Sequence, residues 1–167
     1  CATLADMARK AASMEGVDFL SFRMEGGDPN GANKSTEELI GELKEIADAV
    51  DLPLVVCGCK NVEKDAELFS KAAEALNGKN AVILSAKEEN YKTVGAAAGL
   101  AYKQIVGAES AVDINLAKQL NVLISQLGVD SKSVVMNVGS AAVGYGFEYV
   151  ISTMDLSLIH ISEPTRR

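Results

Sequence analysis

The sequence predicts a parallel α/β chain: about five strands alternating with helices, together making part of a TIM (β/α)8 barrel. Three observations predict it. Short apolar runs recur roughly every 25 to 30 residues, and each is followed by an amphipathic segment. No two runs are joined by a hairpin turn, so the connections imply right-handed crossovers between parallel strands. Polar and small residues collect after every run, at 25–33, 58–61, 87–91, 109–113 and 137–146. In a barrel those loops converge on one face. A doubly wound nucleotide binder would show a glycine fingerprint after its first strand, and "EGGDPNGANKS" fits neither G-x-G-x-x-G nor the P-loop. Five strands do not close an eight-stranded barrel, so the expected architecture is incomplete.

The elements follow in order. Leu4, Met7, Ala8, Ala11 and Ala12 recur at helical spacing within 3–15, and "GVDFLSFRM" reads as the first strand. Ser35 begins the next helix, because "STEE" fits a capping box with Glu38 three residues after the cap. Leu39, Ile40, Leu43, Ile46, Ala47 and Val50 line its apolar face. "LPLVVCGC" is an unbroken apolar run of the buried parallel type. A helix over 62–77, strand "AVILSA" and a helix over 90–102 come next, followed by a short strand near "QIVGA". A helix over 112–127 carries Val112, Leu116, Leu120, Leu123, Ile124 and Leu127 along one side. "SVVMNV" is the fifth strand, and a last helix starts near Tyr145.

Composition narrows the function classes. The chain has 167 residues, 48% apolar, enough for a sizeable core, with no Trp. A formal charge of −7 argues against a nucleic-acid surface, which needs clustered Lys and Arg. No apolar run reaches the roughly 18 residues of a membrane span. Cys1, Cys57 and Cys59 form no disulfide framework, which points to a reducing cytoplasm. The segment "LSLIHISEPTRR" breaks the preceding composition and resembles a translated sequencing adapter. On that reading residues 1–155 are an incomplete barrel domain and 156–167 a non-native tail. The chain's single histidine, His160, lies in that tail, so imidazole chemistry is not expected.

Candidate chemistry is sparse. Cys57-Gly58-Cys59 is expected to put both thiols on one face of a strand, supplying two ligands where an iron–sulfur cluster needs about four. No metal site is expected. Lys87, at the end of a strand, stands where a Schiff-base lysine would, but Glu88 and Glu89 follow directly and favour an ion-paired ammonium. Glu25 with Asp28 lacks the partner base of an acid–base pair, so no catalytic residue is assigned. The "EGGDPNGANKS" turn admits two uses: small residues that let a large flat ligand or a protein near the backbone, or a locally capped turn.

The stretches "EGGDPNGANKSTEE", "CGCKNVEKDAELFSKAAEAL", "KEENYKTVGAAA", "DINLAKQLNVLISQLGV" and "VVMNVGSAAVGYGFEYVISTMD" together resemble the small subunit of the corrinoid iron–sulfur protein. Its archaeal counterpart is the delta subunit of the acetyl-CoA decarbonylase/synthase complex. The similarity runs in order from about Val17 to Asp155 and covers around half of a full subunit. It implies a TIM barrel that helps enclose a cobamide in the acetyl-CoA (Wood–Ljungdahl) pathway. The implied cofactor is held mainly by a large corrinoid/iron–sulfur subunit, with no iron–sulfur cluster on this chain. It carries a methyl group from methyltetrahydrofolate, through a methyltransferase, to CO dehydrogenase/acetyl-CoA synthase. The implied chain is a non-catalytic cytoplasmic subunit, without nucleic-acid or membrane partners. The expected cofactor-facing residues are Asp28, Asn30, Asn137, Gly139, Gly144, Tyr145 and Gly146. Among them the loop "GSAAVGYGFEY" would offer backbone N–H groups to the amide arms of a corrin, and Tyr145 a face for its ring. The alternative is a pterin-dependent methyltransferase on a dihydropteroate-synthase-like barrel, with Asp28, Asn30 and Asn137 recognising the pterin.

Overall fold

The computed structural model describes residues 3–79 and 81–159, so Cys1, His160 and the rest of the tail from 160 onward lie outside the described residues. The chain runs α1 (Leu4–Ala12), β1 (Leu20–Arg23), α2 (Thr36–Ala49), β2 (Leu54–Cys57), α3 (Val62–Ala75) and β3 (Ala81–Ala86). It continues with α4 (Tyr91–Val94), β4 (Ile105–Glu109), α5 (Ile114–Gln126), β5 (Val134–Asn137) and α6 (Phe147–Ser157). All five strands are parallel, and each pairs with its sequence neighbours in the order β1-β2-β3-β4-β5. A doubly wound sheet reverses its strand order at a switch point; this one does not. Helices touch in the same succession, α1 on α2, α2 on α3, α4 on α5 and α5 on α6. They therefore cover one face. The sheet does not close: among the described residues, β1 and β5 each keep one edge without a neighbour.

The two faces differ in chemistry because strand side chains alternate. Leu54, Val56, Ala81, Ile83, Val106 and Ala108 point to the helices and join Leu39, Leu43, Leu68, Phe69, Leu120 and Ile124 in one continuous core. The opposite, barrel-interior face carries a row in register, Arg23, Cys57, Leu84, Gly107 and Val135. Glu109 and Asn137 are paired at the mouth end of the same face.

Local signals explain most element starts. Ser35 and Glu38 form the expected capping box, with Glu38 N–H donating to Ser35 Oγ (3.2 Å) and Ser35 N–H to Glu38 Oε2 (2.9 Å). Asn61 caps α3, and Asp113 accepts from the Asn115 and Leu116 amides at α5. The helix expected over 90–102 is different: α4 gives way to a wider π-helical stretch, Gly95–Ala101. Gly95 and Gly99 weaken the α-helix. A Cβ on them would lie 2.8 Å from Leu127 Cδ1 and 2.6 Å from Val129 Cγ2, so small residues let this segment press close to its neighbours. Val112 also departs from the expected helical stripe. It precedes α5 with φ +67° and packs against Gly139.

Candidate ligand-facing mouth

Every strand delivers a polar group to the C-terminal end of the sheet. Arg23, Cys57, Ser85, Lys87, Glu109 and Asn137 share a cavity of about 200 Å³. An adjoining cleft of about 440 Å³ is lined by Glu109, Ala111, Val112, Asn137, Gly139 and Ser140. Glu109 and Asn137 belong to both.

Around the cavity the charges are paired. Arg23 Nη1 lies 3.1 Å from Glu25 Oε1, and that hydrogen bond, then the charges of Glu25 and Cys57, raise the guanidinium pKa further. Ser85 Oγ donates to Glu109 Oε2. Lys87 Nζ lies 3.9 Å from Glu109 Oε1, so its partner is the carboxylate of the next strand and not Glu88 or Glu89. This geometry suits an ion pair, not an amine nucleophile. One wall is fixed by Asp65, a buried carboxylate in the first turns of α3 whose Oδ1 accepts from the Cys59 amide at 2.7 Å.

The cysteines are not on one face. Cys57 is half-buried on the barrel-interior side, 3.6 Å from Ser21 Oγ. Cys59 is buried in the helix-side core, and burial pushes its thiol pKa up. The strand ends at Cys57, and the chain turns into the core before Cys59. Among the described residues no three His, Cys, Asp or Glu side chains gather as a metal site. No described helix is long and apolar enough to cross a membrane.

The sequence-predicted contact residues separate into two groups. Asn137 and Gly139 sit beside Glu109, and Gly139 N–H donates to Asn137 Oδ1 at 3.0 Å. Gly144, Tyr145 and Gly146 continue the same loop. Gly139, Gly144 and Gly146 hold φ +91°, +82° and +100°, values that disfavour any side chain. Tyr145 is 87% exposed and Val143 83%, and no side chain caps α6 at Gly146. Asp28 and Asn30 follow β1, at the far side of the sheet from β5. There Asp28 Oδ1 accepts from Asn30 N–H (2.9 Å), and Lys64 pins the loop through Asn33 Oδ1 and the Lys34 carbonyl. The "EGGDPNGANKS" turn is thus largely self-supporting. Arg23, Ser85 and Glu109 were not anticipated as site residues. The signal for Arg23 and Glu109 is that a charged residue closes the apolar runs "FLSFR" and "QIVGAE" at the strand's mouth end.

A parallel sheet in sequential strand order, with helices on one face and polar strand ends around a shared mouth, is the architecture of a partial barrel. Residues 1–158 match the family model described as CO dehydrogenase/acetyl-CoA synthase delta subunit, and the chain belongs to that family. It is 35% identical over 150 residues to the acetyl-CoA decarbonylase/synthase complex subunit delta of Methanopyrus kandleri, covering 89% of this chain and 37% of that protein. The subunit delta of Methanothermobacter thermautotrophicus is 33% identical over 89% of this chain and 38% of its own length. That of Archaeoglobus fulgidus is 32% identical over 90% and 34%. The chain therefore spans little more than a third of these relatives, less than the half expected from the resemblance.

Proposed function

We propose that this chain is the barrel portion of a delta-type subunit whose mouth helps enclose the cobamide of a corrinoid iron–sulfur methyl carrier. The observation that carries the reading is the loop from Gly139 to Gly146: glycine-rich, largely exposed, and tipped by Val143 and Tyr145 beside a polar mouth. Val143 and Tyr145 leave two large apolar side chains in solvent at this strand-end loop, available to a covering ligand. The available groups fit an amide-fringed macrocycle. They comprise an uncapped helix start, an Asn amide, a fixed carboxylate and an exposed phenol ring.

When bound, the cobamide supplies the cobalt that accepts and releases the methyl group. The chain's own residues do something simpler. Tyr145 and Val143 would cover an apolar ring face and exclude water, while Asn137 and the loop amides hold polar arms at the edge. The cofactor is held mainly by a large corrinoid/iron–sulfur subunit. A methyltetrahydrofolate methyltransferase and CO dehydrogenase/acetyl-CoA synthase are the further partners, in the cytoplasm.

The test is assembly of the complete subunit with its corrinoid partner, followed by release of cobamide into excess apo-acceptor. Tyr145→Ala should speed release several-fold without lowering the thermal midpoint, since a side chain this exposed adds little to the core. Equal release rates from complexes with and without this subunit would refute the reading. A second reading, pterin binding at the mouth, is favoured by one observation, the carboxylate and amide of Glu109 and Asn137 on neighbouring strands. Calorimetric binding of 5-methyltetrahydrofolate by the subunit without its partner would support it.

A further inference from the structure

We infer that Glu109 and Asn137 form a two-point site for the edge of an amide, an N–H beside a C=O, and that this site fixes one arm of the ligand at the mouth. The inference rests on the cobamide reading for the source of that amide. The two residues are direct register partners on β4 and β5 and face the same side of the sheet. Neighbouring strands lie about 4.8 Å apart, so two side chains so placed can converge on one planar group.

Their remaining hydrogen-bonding capacities are complementary to an amide. Ionised Glu109 only accepts. Ser85 Oγ takes Oε2 and Lys87 stands 3.9 Å from Oε1, which orients the carboxylate and leaves lone pairs toward the cleft. Asn137 Oδ1 is already occupied by the Gly139 amide at 3.0 Å, so the side chain offers Nδ2 as donor, which has no partner among the described residues. An amide N–H directed to Glu109 and its carbonyl directed to Asn137 satisfy both. A carboxylate in the same place would meet Glu109 charge to charge.

The wall opposite is unusually fixed. Ala111 and Val112 hold φ +48° and +67°, a conformation rare for any side chain and more so for a β-branched one. The Val112 amide donates to the Val138 carbonyl at 2.6 Å, tying this wall to the strand that bears Asn137. A Cβ on Gly139 would lie 3.3 Å from Val112 Cγ2, so the cleft is closed on that side by contact. Strain of this kind, kept beside two convergent polar groups, is typical of ligand clamps.

The same edge occurs in the primary amide arms of a corrinoid and in the ring lactam of a pterin, and the experiment separates them. The complete subunit is assembled with its apo-corrinoid partner and titrated calorimetrically with dicyanocobinamide, then with each positional isomer carrying one arm hydrolysed to a carboxylate. The expected result is a roughly tenfold preference for the amide over at least one isomer, the size of one charge-assisted hydrogen bond. Glu109→Gln, which keeps the shape and can donate to a carboxylate, should reduce that preference below twofold or reverse it. Asn137→Asp should weaken the amide form by a similar factor.

No discrimination by the unaltered complex, or discrimination unchanged in Glu109→Gln, overturns the two-point site while leaving the cobamide reading in place. Identical cobinamide affinity with and without this subunit overturns that reading itself. Affinity for 5-methyltetrahydrofolate that falls in Glu109→Gln, with cobinamide unaffected, supports the edge and assigns it to a pterin.

Discussion

Gly58→Ala tests the β2–α3 end of the mouth with a change of one methyl group. Gly58 is not in the left-handed region, so the backbone itself tolerates alanine. The obstacle is Asp65: a Cβ at position 58 would stand 2.3 to 2.5 Å from all three carboxylate atoms. The carboxylate must leave, and with it goes the 2.7 Å bond from the Cys59 amide, which is buried. Losing a charge-assisted bond and leaving a buried N–H unpaired costs about 2 kcal/mol. Asp65→Ala removes the same bond directly and should cost about the same. The bond can be lost only once, so Gly58→Ala with Asp65→Ala should cost little more than either single change. The coupling energy is then about −2 kcal/mol, well outside the roughly 0.5 kcal/mol scatter of independent sites. Urea unfolding of the four proteins in the cycle gives the energies, and hydrogen exchange at the Cys59 amide shows whether the bond was the origin. Additive single effects would show that Asp65 does not occupy the space above Gly58.

At the opposite end of the sheet, Gln104 is buried, accepting from the Ala81 amide (2.9 Å) and donating to the Leu76 carbonyl (2.8 Å). Gln104→Leu should cost about 2 to 3 kcal/mol in urea unfolding, since both backbone groups lose their partner, and should leave ligand affinity at the mouth unchanged. Iodoacetamide on the folded chain should modify Cys57 before Cys59, as read by peptide mass mapping, because burial raises the Cys59 thiol pKa. For that raised thiol the protonated form is favoured by folding. The contribution is full below the unfolded thiol pKa and lost as pH rises through the folded one, so stability should fall on the alkaline side and fall less in Cys59→Ala. Glu37 is held below the usual carboxylate range by its hydrogen bond from Lys71, which joins α2 to α3. That contribution is present above the unfolded Glu pKa and fades as pH drops through the folded value. Because the pair is solvent-exposed, 1 M salt should abolish the difference between Glu37→Gln and the parent. Borohydride treatment with carbonyl compounds should trap no adduct at Lys87, whose ammonium faces Glu109.

What could be read from the sequence was what local chemistry decides. Ser35 and Glu38 announce their helix because the capping box spans four residues and needs nothing else. The strand–helix alternation was legible because burial against the helices requires apolar runs at "LVVC" and "AVIL" wherever they pair. Register was not legible. That Glu109 stands beside Asn137 follows from pairing across the 24 residues between β4 and β5, information no short window contains. Cys57 and Cys59 misled for a related reason. C-x-C puts two thiols on one face only while the strand continues, and here it stops at Cys57 because Asp65 bends the next residues into the core. Val112 misled because it has the right spacing for the α5 stripe, while Asp113, with its carboxylate on two amides, caps a helix that begins at Ile114, two residues later.

The interior face beneath the mouth limits what kind of ligand the mouth can serve. Gly107 lies directly beside Leu84 in register, and a Cβ there would come within 2.5 Å of Leu84 Cδ1. Leu84 therefore folds across β4 and fills the space that a side chain at 107 would take. Val55, Val82 and Ile105 form the next row down, apolar and half-buried, and the exposed Ser21 ends that row on β1. A barrel interior built this way is packed and not a channel. Polar groups gather level with Leu84 and above it, in Arg23, Ser85, Lys87, Glu109 and Asn137. A small substrate threaded below the mouth would find few polar partners beyond the Ser21 hydroxyl. A broad ligand resting on the rim would meet polar groups from all five strands at once, with the Tyr145 loop standing at its edge. That division, mostly apolar below and polar at the rim, is compatible with the proposed role of covering a ligand from outside and not with a site deep in the sheet's interior face.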